Sequence, residues 1–93
     1  MLPQELWKVE YDKDIEKQVI KFRSSTKRAF IQALGDLKKE GPWPHGWDVK
    51  ELQNEDGMLR LKLDHRHRMI YSVFKNFLLI RIIEVVTREN AYR

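Results

Sequence analysis

The sequence predicts an α+β fold with an N-terminal strand, a helical hairpin and then a three-strand antiparallel meander, with the helices packed on one face of the sheet. Apolar residues recur at helical spacing in residues 14–39, and alternating segments follow from residue 47. The turn-rich stretch GPWPHGWD joins the two halves. Because amphipathic helices must cover one sheet face, the other face is expected to stay open.

The first half predicts a strand and two helices. Apolar side chains alternate with charged ones in residues 7–11, which indicates a short strand. Two apolar stripes at helical spacing then mark residues 14–22 and 27–39. The polar stretch RSST separates them, so a helical hairpin is the simplest interpretation and one kinked helix is the alternative. Gly41 and Pro42 end the second helix.

The second half predicts strands joined by turns. The strand-like segments are WDVKELQ, MLRLKLD, RMIYSVF and FLLIRIIEVVT. NEDG and KN have the residue types of turns, and KN predicts a tight hairpin. The last segment is apolar on both faces, which indicates a central or covered strand.

Composition restricts the class of protein. The chain has 93 residues, of which 42% are hydrophobic, and it contains no cysteine. We therefore expect one globular domain spanning residues 1–93, without disulfides or thiolate metal sites. No signal-like N-terminus and no membrane-length apolar run occur, so we expect a soluble cytoplasmic protein without a membrane partner. The net charge of +4 suits an anionic partner, either nucleic acid or an acidic protein.

Cations concentrate in the stretch LRLKLDHRHRMIY, residues 59–71. Leucines alternate with Arg60 and Lys62, which should therefore lie on the face away from the helices. Arg66 and Arg68 follow closely, and Asp64 is the single acid of the stretch. Like charges on one sheet face repel each other, so the cluster suggests an anionic ligand. The alternative is an ordinary solvated surface.

Histidines in the same stretch raise the question of a metal site. His65 and His67 are two residues apart and are potential ligands on one face. Only His45 and scattered acids remain to complete such a site. We therefore expect no metal and no cofactor.

The order of elements and two motifs resemble the RelE/ParE superfamily of toxins from type II toxin–antitoxin systems. In LRLKLDHRHRMIYSV, alternating basic residues precede an arginine and a strand that begins with two apolar residues and a tyrosine. The segment EVVTRENAYR resembles the superfamily's V-x-H-R-x-x-x-Y ending. A Gly-Pro between helices and sheet is also typical, so the resemblance extends over nearly the whole chain.

The resemblance to RelE-type members implies an endoribonuclease, or mRNA interferase, that cuts messenger RNA in the ribosomal A site. The catalytic residues that it implies are Arg60, Lys62, Arg68, Arg88 and Tyr92. The expected RNA-binding residues are His65, Arg66, His67 and Arg93. Thr87 stands where many members have His, so no imidazole is available at that position. Because the hairpin DHRH looks one residue shorter than in RelE-type members, either Arg66 or Arg68 is the equivalent arginine.

These residue types suit RNA cleavage without a metal, in which the 2′-hydroxyl of the RNA is the nucleophile. Guanidinium groups stay charged and bind phosphate oxygens, so the arginines can stabilise extra negative charge on phosphorus. Lys62 is a candidate proton donor to the leaving 5′-oxygen. A phenol with its ordinary pKa of ~10 is a poor base. Tyr92 therefore needs nearby cations to lower its pKa, or it only orients the hydroxyl or stacks on a base.

The resemblance also implies partners and leaves two other functions open. It implies an acidic cognate antitoxin, with the ribosome and its mRNA as the target. One alternative is a ParE-type inhibitor of DNA gyrase, which would act by binding alone. The other is a catalytically inactive module that binds antitoxin or nucleic acid, since the fold alone does not determine the function.

Overall fold

A computed structural model describes residues 6–53 and 55–92, with the backbone alone for Tyr92. Its strands are β1 (Lys8–Glu10), β2 (Val49–Glu51), β3 (Met58–Lys62), β4 (His67–Phe74) and β5 (Leu79–Thr87), and its helices are α1 (Lys13–Val19) and α2 (Ser24–Glu40). Short 3₁₀ turns cover Lys75–Phe77 and Asn90–Tyr92.

The strands of the described residues form one mixed sheet in the order β1-β5-β4-β3-β2. β1 pairs with β5 in parallel, and the remaining neighbours pair antiparallel. The predicted α+β class is confirmed. The antiparallel part of the sheet contains the four segments predicted after the connector, in which the three residues of β2 add an edge strand to the meander β3-β4-β5.

The two helices are separate, so the helical hairpin is correct and the single kinked helix is not. Ile15 of α1 and Phe30 and Leu37 of α2 are buried against the sheet. α2 ends where predicted, at Gly41, whose N–H donates to the carbonyl of Leu37. No helix within residues 6–53 and 55–92 is long and apolar enough to cross a membrane.

The core lies between the helices and one face of the sheet. The buried strand residues on this face are Leu59, Leu61, Met69, Tyr71, Ile80, Ile82 and Val85. The hydroxyl of Tyr71 donates to the carbonyl of Pro42 at 2.7 Å, and burial raises the pKa of this phenol above its ordinary value. Tyr71 thereby holds the connector between helices and sheet against the core.

Two features of β4 and β5 differ from the expected hairpin. The KN segment is not a two-residue turn, because a 3₁₀ turn covers Lys75–Phe77 and Leu78 takes a left-handed φ of 48°. The register between the strands also shifts, since Ile70 pairs with Glu84 whereas Tyr71 pairs with Ile82. Such a bulge reverses the alternation of faces in the bulged strand. Glu84 therefore lies on the same face as Ile70.

Candidate functional site

The face of the sheet opposite the helices, called here the far face, carries three of the predicted catalytic residues. Alternation places Arg60 and Lys62 of β3 and Arg68 of β4 there, because their strand neighbours point into the core. Lys62 pairs directly with Arg68 in the register of the two strands. Two cations at such a position repel each other, and a bound anion would relieve the repulsion.

One end of the Arg68 guanidinium is hydrogen-bonded to the β3–β4 hairpin. Its side chain is only 6% exposed. Nη1 donates to the carbonyl of Asp64 at 2.8 Å and lies 3.4 Å from the carbonyl of His65. Nε is buried and has no hydrogen-bond partner among the described residues. Leaving this donor without a partner costs about 1–3 kcal/mol.

The far face is not open around Arg60, contrary to our expectation. Arg60 is 4% exposed and Ile70, its partner in the register, is 3% exposed. Ala91 in the C-terminal 3₁₀ turn is also buried. Asn90 and Ala91 line a cavity of about 360 Å³ together with Ile70 and Glu84, so the C-terminal turn lies against this part of the face. Arg60 is therefore a buried cation rather than an exposed phosphate ligand.

Three exposed residues meet at the end of the sheet, next to the hairpin. We call His65, Arg66 and Arg88 the hairpin cluster. The backbone N–H of Arg88 donates to the carbonyl of Arg66 at 2.8 Å. Nη1 of Arg88 lies 3.4 Å from Nε2 of His65. The end of β5 and the hairpin are thus joined, and they present two guanidiniums and one imidazole to solvent.

Asp64 anchors the hairpin from the helix side. Its carboxylate accepts hydrogen bonds from the hydroxyl of Thr26 at 2.6 Å and from the backbone N–H groups of Arg66 and His67 at 2.9 and 2.8 Å. Partial burial raises the pKa of Asp64. The hydrogen bonds from Thr26, the His67 ring and the backbone N–H groups of Arg66 and His67 outweigh this effect and lower the pKa to about 2. Asp64 is therefore ionised near neutral pH.

Sequence reasoning did not identify Asp64 as an anchor, although a signal was present. An Asp at the start of a turn commonly accepts the N–H groups of the residues that follow it. Asp64 was visible as the single acid of its stretch. No signal in the sequence pointed to Thr26, which is fully buried and comes from the first turn of α2.

His67 does not join the far-face cations. Its Nδ1 lies 3.0 Å from the Asp64 carboxylate, and its ring packs on Phe22 with 4.7 Å between the centroids. His67 therefore lies on the helix side of the sheet. His65 instead contacts Arg88, so the two histidines do not share a face as metal ligands. No group of three His, Asp or Glu side chains that could hold a metal occurs within the described ranges.

A groove of about 560 Å³ lies between the hairpin and the turn that joins α1 to α2. His65 and Arg66 line one side of it, and Lys21 and Arg23 line the other. Sequence reasoning missed Lys21 and Arg23, because tertiary packing alone brings them to residues more than 40 positions away. Exposed cations thus continue from the hairpin cluster across this groove to Lys21 and Arg23.

Solved structures of known proteins share this arrangement of helices and strands. The archaeal RelE in a RelE–RelB complex from Pyrococcus horikoshii OT3 superposes with a TM-score of 0.76 at 24% identity, covering 88% of this chain and 94% of that chain. The chain has the fold of RelE-type toxins. The isolated Escherichia coli RelE toxin has this fold as well, with a TM-score of 0.69, 17% identity and coverage of 88% and 84%.

A third RelE-type structure agrees with the other two. The RelB–RelE antitoxin–toxin complex from Methanococcus jannaschii gives a TM-score of 0.73 at 12% identity, covering 88% of this chain and 93% of that chain. No protein-family model and no curated protein matches the sequence. The resemblance found in the sequence motifs is therefore confirmed at the level of the RelE-type fold.

The C-terminal segment holds the remaining predicted residues of the RelE-type site. The side chain of Tyr92 and the whole of Arg93 lie outside the described residues, so their roles stay predictions. Thr87 pairs with His67 in the register, and its hydroxyl accepts from the amide of Asn90 at 3.2 Å. Thr87 thus supports the C-terminal turn and offers no proton-transfer group of its own.

Proposed function

We propose that this protein is the toxin of a type II toxin–antitoxin system and that it cuts messenger RNA on the ribosome. The observation that carries the proposal is the exposed hairpin cluster next to the cross-strand cations Lys62 and Arg68. A bound phosphate would relieve the repulsion between these cations. The RelE-type fold supports the class of protein.

In the proposed reaction the 2′-hydroxyl attacks the adjacent phosphorus and the 5′-oxygen leaves. The exposed guanidinium of Arg88 stabilises the extra negative charge on the phosphoryl oxygens, and the buried Arg68 adds positive potential beside Lys62. Lys62 donates a proton to the 5′-oxygen. Arg60 adds positive potential from beneath the C-terminal turn without contacting the RNA. Tyr92 orients the ribose or stacks on a base.

The proposed partner is an acidic antitoxin. Two of the similar solved structures are complexes of RelE with RelB. In this chain the exposed cations Lys21, Arg23, Arg66 and Arg88 offer a surface that an acidic segment would neutralise. Inhibition would then follow from the covering of the hairpin cluster, which the RNA also needs.

Toeprinting of mRNA on programmed ribosomes tests the proposal. The wild-type protein should cut the message in the A site. Arg88→Ala should slow the cleavage by about 10²–10³-fold, as loss of one donor to a developing oxyanion does. Lys75→Ala is the matched control, since Lys75 is an exposed cation at the opposite end of β4 and β5, and it should leave the rate unchanged.

Inhibition of DNA gyrase is the second candidate, and one observation favours it. Arg60 and Arg68 are only 4% and 6% exposed. A nuclease needs such arginines at its substrate, whereas a protein that acts by binding alone does not. The same preparation is therefore added to a supercoiling assay. Intact mRNA together with accumulating linear DNA would replace the nuclease proposal by the gyrase one.

A further inference from the structure

We propose that His65 is the general base that takes the proton from the 2′-hydroxyl of the RNA. This inference rests on the proposed nuclease function and assigns a step that the far-face cations cannot perform. Arginines are always protonated, so neither Arg68 nor Arg88 can accept a proton. The imidazole of His65 lies against Arg88 in the exposed hairpin cluster, where a phosphodiester can reach it.

The contact with Arg88 suits one neutral form of the imidazole. A guanidinium has only donors, so Nη1 of Arg88 donates and Nε2 of His65 accepts across the 3.4 Å that separates them. This contact therefore requires a lone pair on Nε2, and with it the ring proton on Nδ1. Free imidazoles titrate near ~6.5 and phenols near ~10, so an imidazole is the better base at neutral pH. This distinguishes His65 from Tyr92 as the proton acceptor.

The hairpin holds His65 in a defined place. Asp64 and Arg66, which flank it, are joined by a hydrogen bond from the N–H of Arg66 to the Asp64 carboxylate at 2.9 Å. Thr26 ties that carboxylate to α2. From the far face, Nη1 of Arg68 reaches the carbonyls of Asp64 and His65. The backbone that carries the imidazole is thus held from both faces of the sheet, so it needs little reorganisation during the reaction.

The same contacts join the imidazole of His65 to Arg88, whose guanidinium would bind the phosphate. His65 touches Arg88 through its ring and Arg68 through its carbonyl. A phosphate bound to the exposed guanidinium of Arg88 therefore lies next to the imidazole. When the phosphate takes the guanidinium of Arg88, Nε2 of His65 is released to accept a hydrogen bond from the 2′-hydroxyl.

The reaction needs no co-reactant, since every proton and every bond to phosphorus is accounted for by the RNA, His65 and Lys62. The 2′-oxygen gives its proton to Nε2 of His65 as its bond to phosphorus forms. The bond from phosphorus to the 5′-oxygen breaks, and Lys62 gives a proton to that oxygen. The products are a 2′,3′-cyclic phosphate and a free 5′-hydroxyl, and proton exchange with water restores both side chains. The hydroxyl requirement restricts the substrate to RNA.

Single-turnover cleavage on programmed ribosomes across about pH 5–8 tests the inference, since imidazoles change charge in this range. The wild-type rate should fall at low pH, because a protonated imidazole cannot act as a base. His65→Ala and His65→Gln should lose about 10²–10⁴-fold in rate and lose this pH dependence. Added imidazole should restore part of the rate of His65→Ala. His45→Ala, which removes an exposed histidine of the connector, is the matched control and should behave as wild type.

The cleavage rates and pH profiles of wild type and the His65 variants distinguish three outcomes. If the wild type cuts and both His65 variants cut equally fast, His65 is not the base, and the proposed function stands. A loss of rate with an unchanged pH profile and no rescue by imidazole reduces His65 to a structural part of the hairpin, which overturns the inference. If the wild type leaves mRNA intact, the proposed function fails and the assignment of His65 fails with it.

Discussion

Asp64 determines the shape of the hairpin that presents His65 and Arg66, because four donors converge on its carboxylate. They are the Thr26 hydroxyl, the backbone N–H groups of Arg66 and His67, and Nδ1 of His67. Hydrogen bonds to a charged group contribute about 1.5–3 kcal/mol each before exposure to solvent reduces them. This carboxylate is one-third exposed, so its net contribution is smaller.

We predict that Asp64→Asn destabilises the protein in a pH-dependent way. The pKa of Asp64 falls from 3.8 to about 2 on folding, so the ionised form is stabilised in the folded state. That stability is present above the unfolded pKa and is lost as the pH falls through the folded one. The free energy of unfolding of the variant should be about 1–2 kcal/mol below wild type at neutral pH.

Urea titrations from pH 7 to about pH 2 measure this difference. The gap between wild type and Asp64→Asn should shrink as the pH falls from about 4 towards 2. Asp56→Asn removes an exposed acid from the turn before β3 and serves as the control, with no comparable gap at any pH. A gap for Asp64→Asn that stays constant with pH would show that the amide, rather than the lost charge, is responsible.

For single residues, the sequence predicted which sheet face a side chain lies on but not how exposed it is. Alternation in β3 placed Arg60 and Lys62 opposite the core leucines, and the register confirms this placement. The burial of Arg60 escaped prediction, because it depends on where the C-terminal turn returns. The position of His67 escaped as well, since a carboxylate and the Phe22 ring hold it on the helix side.

At the scale of elements, the end of α2 depends on one glycine. Gly41 has a φ of +91°, a conformation that residues with a Cβ rarely adopt. A Cβ at this position would lie 2.8 Å from Nε1 of Trp7, which packs against the core. Both the backbone conformation and the space therefore favour glycine at the junction of helix and connector.

Three glycine-to-alanine variants should separate these effects. Gly41→Ala should lower the free energy of unfolding by about 2–3 kcal/mol, from an unfavourable φ together with the clash with Trp7. Gly46→Ala keeps the unfavourable φ of +88° without a clash and should lose about 1–2 kcal/mol. Gly35→Ala lies in α2 with open space around it and should gain about 0.5–1 kcal/mol.

Thermal and urea unfolding of the three variants provide the measurement. The expected order of stability is Gly35→Ala, wild type, Gly46→Ala and Gly41→Ala. If Gly41→Ala and Gly46→Ala lose equal stability, the indole of Trp7 moves aside without cost and only the backbone conformation matters.

The elements themselves were largely predictable, and the exceptions have physical causes. Helical and alternating periods identified both helices and the strands of the meander. The bulge in β5 was not predictable, because Ile82, Ile83, Val85 and Val86 are all apolar and give no sign of which face each one occupies. The turn between β4 and β5 was missed because Leu78 takes a left-handed φ that its residue type does not favour.

Over the whole molecule, charges are unevenly distributed along the sheet. Arg81 of β5 forms ion pairs with Glu10 at 2.7 Å and with Asp12 at 2.8 Å, and these two hydrogen bonds raise the pKa of its guanidinium. The hairpin end of the sheet instead presents Arg66 and Arg88 to solvent. The end that carries the groove and the hairpin cluster therefore offers exposed cations to an anionic ligand.

We predict that the affinity for single-stranded RNA depends on salt through this end of the molecule. Each phosphate that a cation neutralises contributes a slope of about −0.7 in a plot of log K against log salt for single strands. The double variant Lys21→Ala with Arg66→Ala removes one cation from each side of the groove, so its slope should be shallower by about 1.4. Lys39→Ala with Lys75→Ala removes the same charge from exposed positions outside the groove and should keep the wild-type slope. Titrations with a 2′-O-methyl RNA measure binding without cleavage, and equal slopes for the two double variants would mean that net charge, rather than the groove, attracts the RNA.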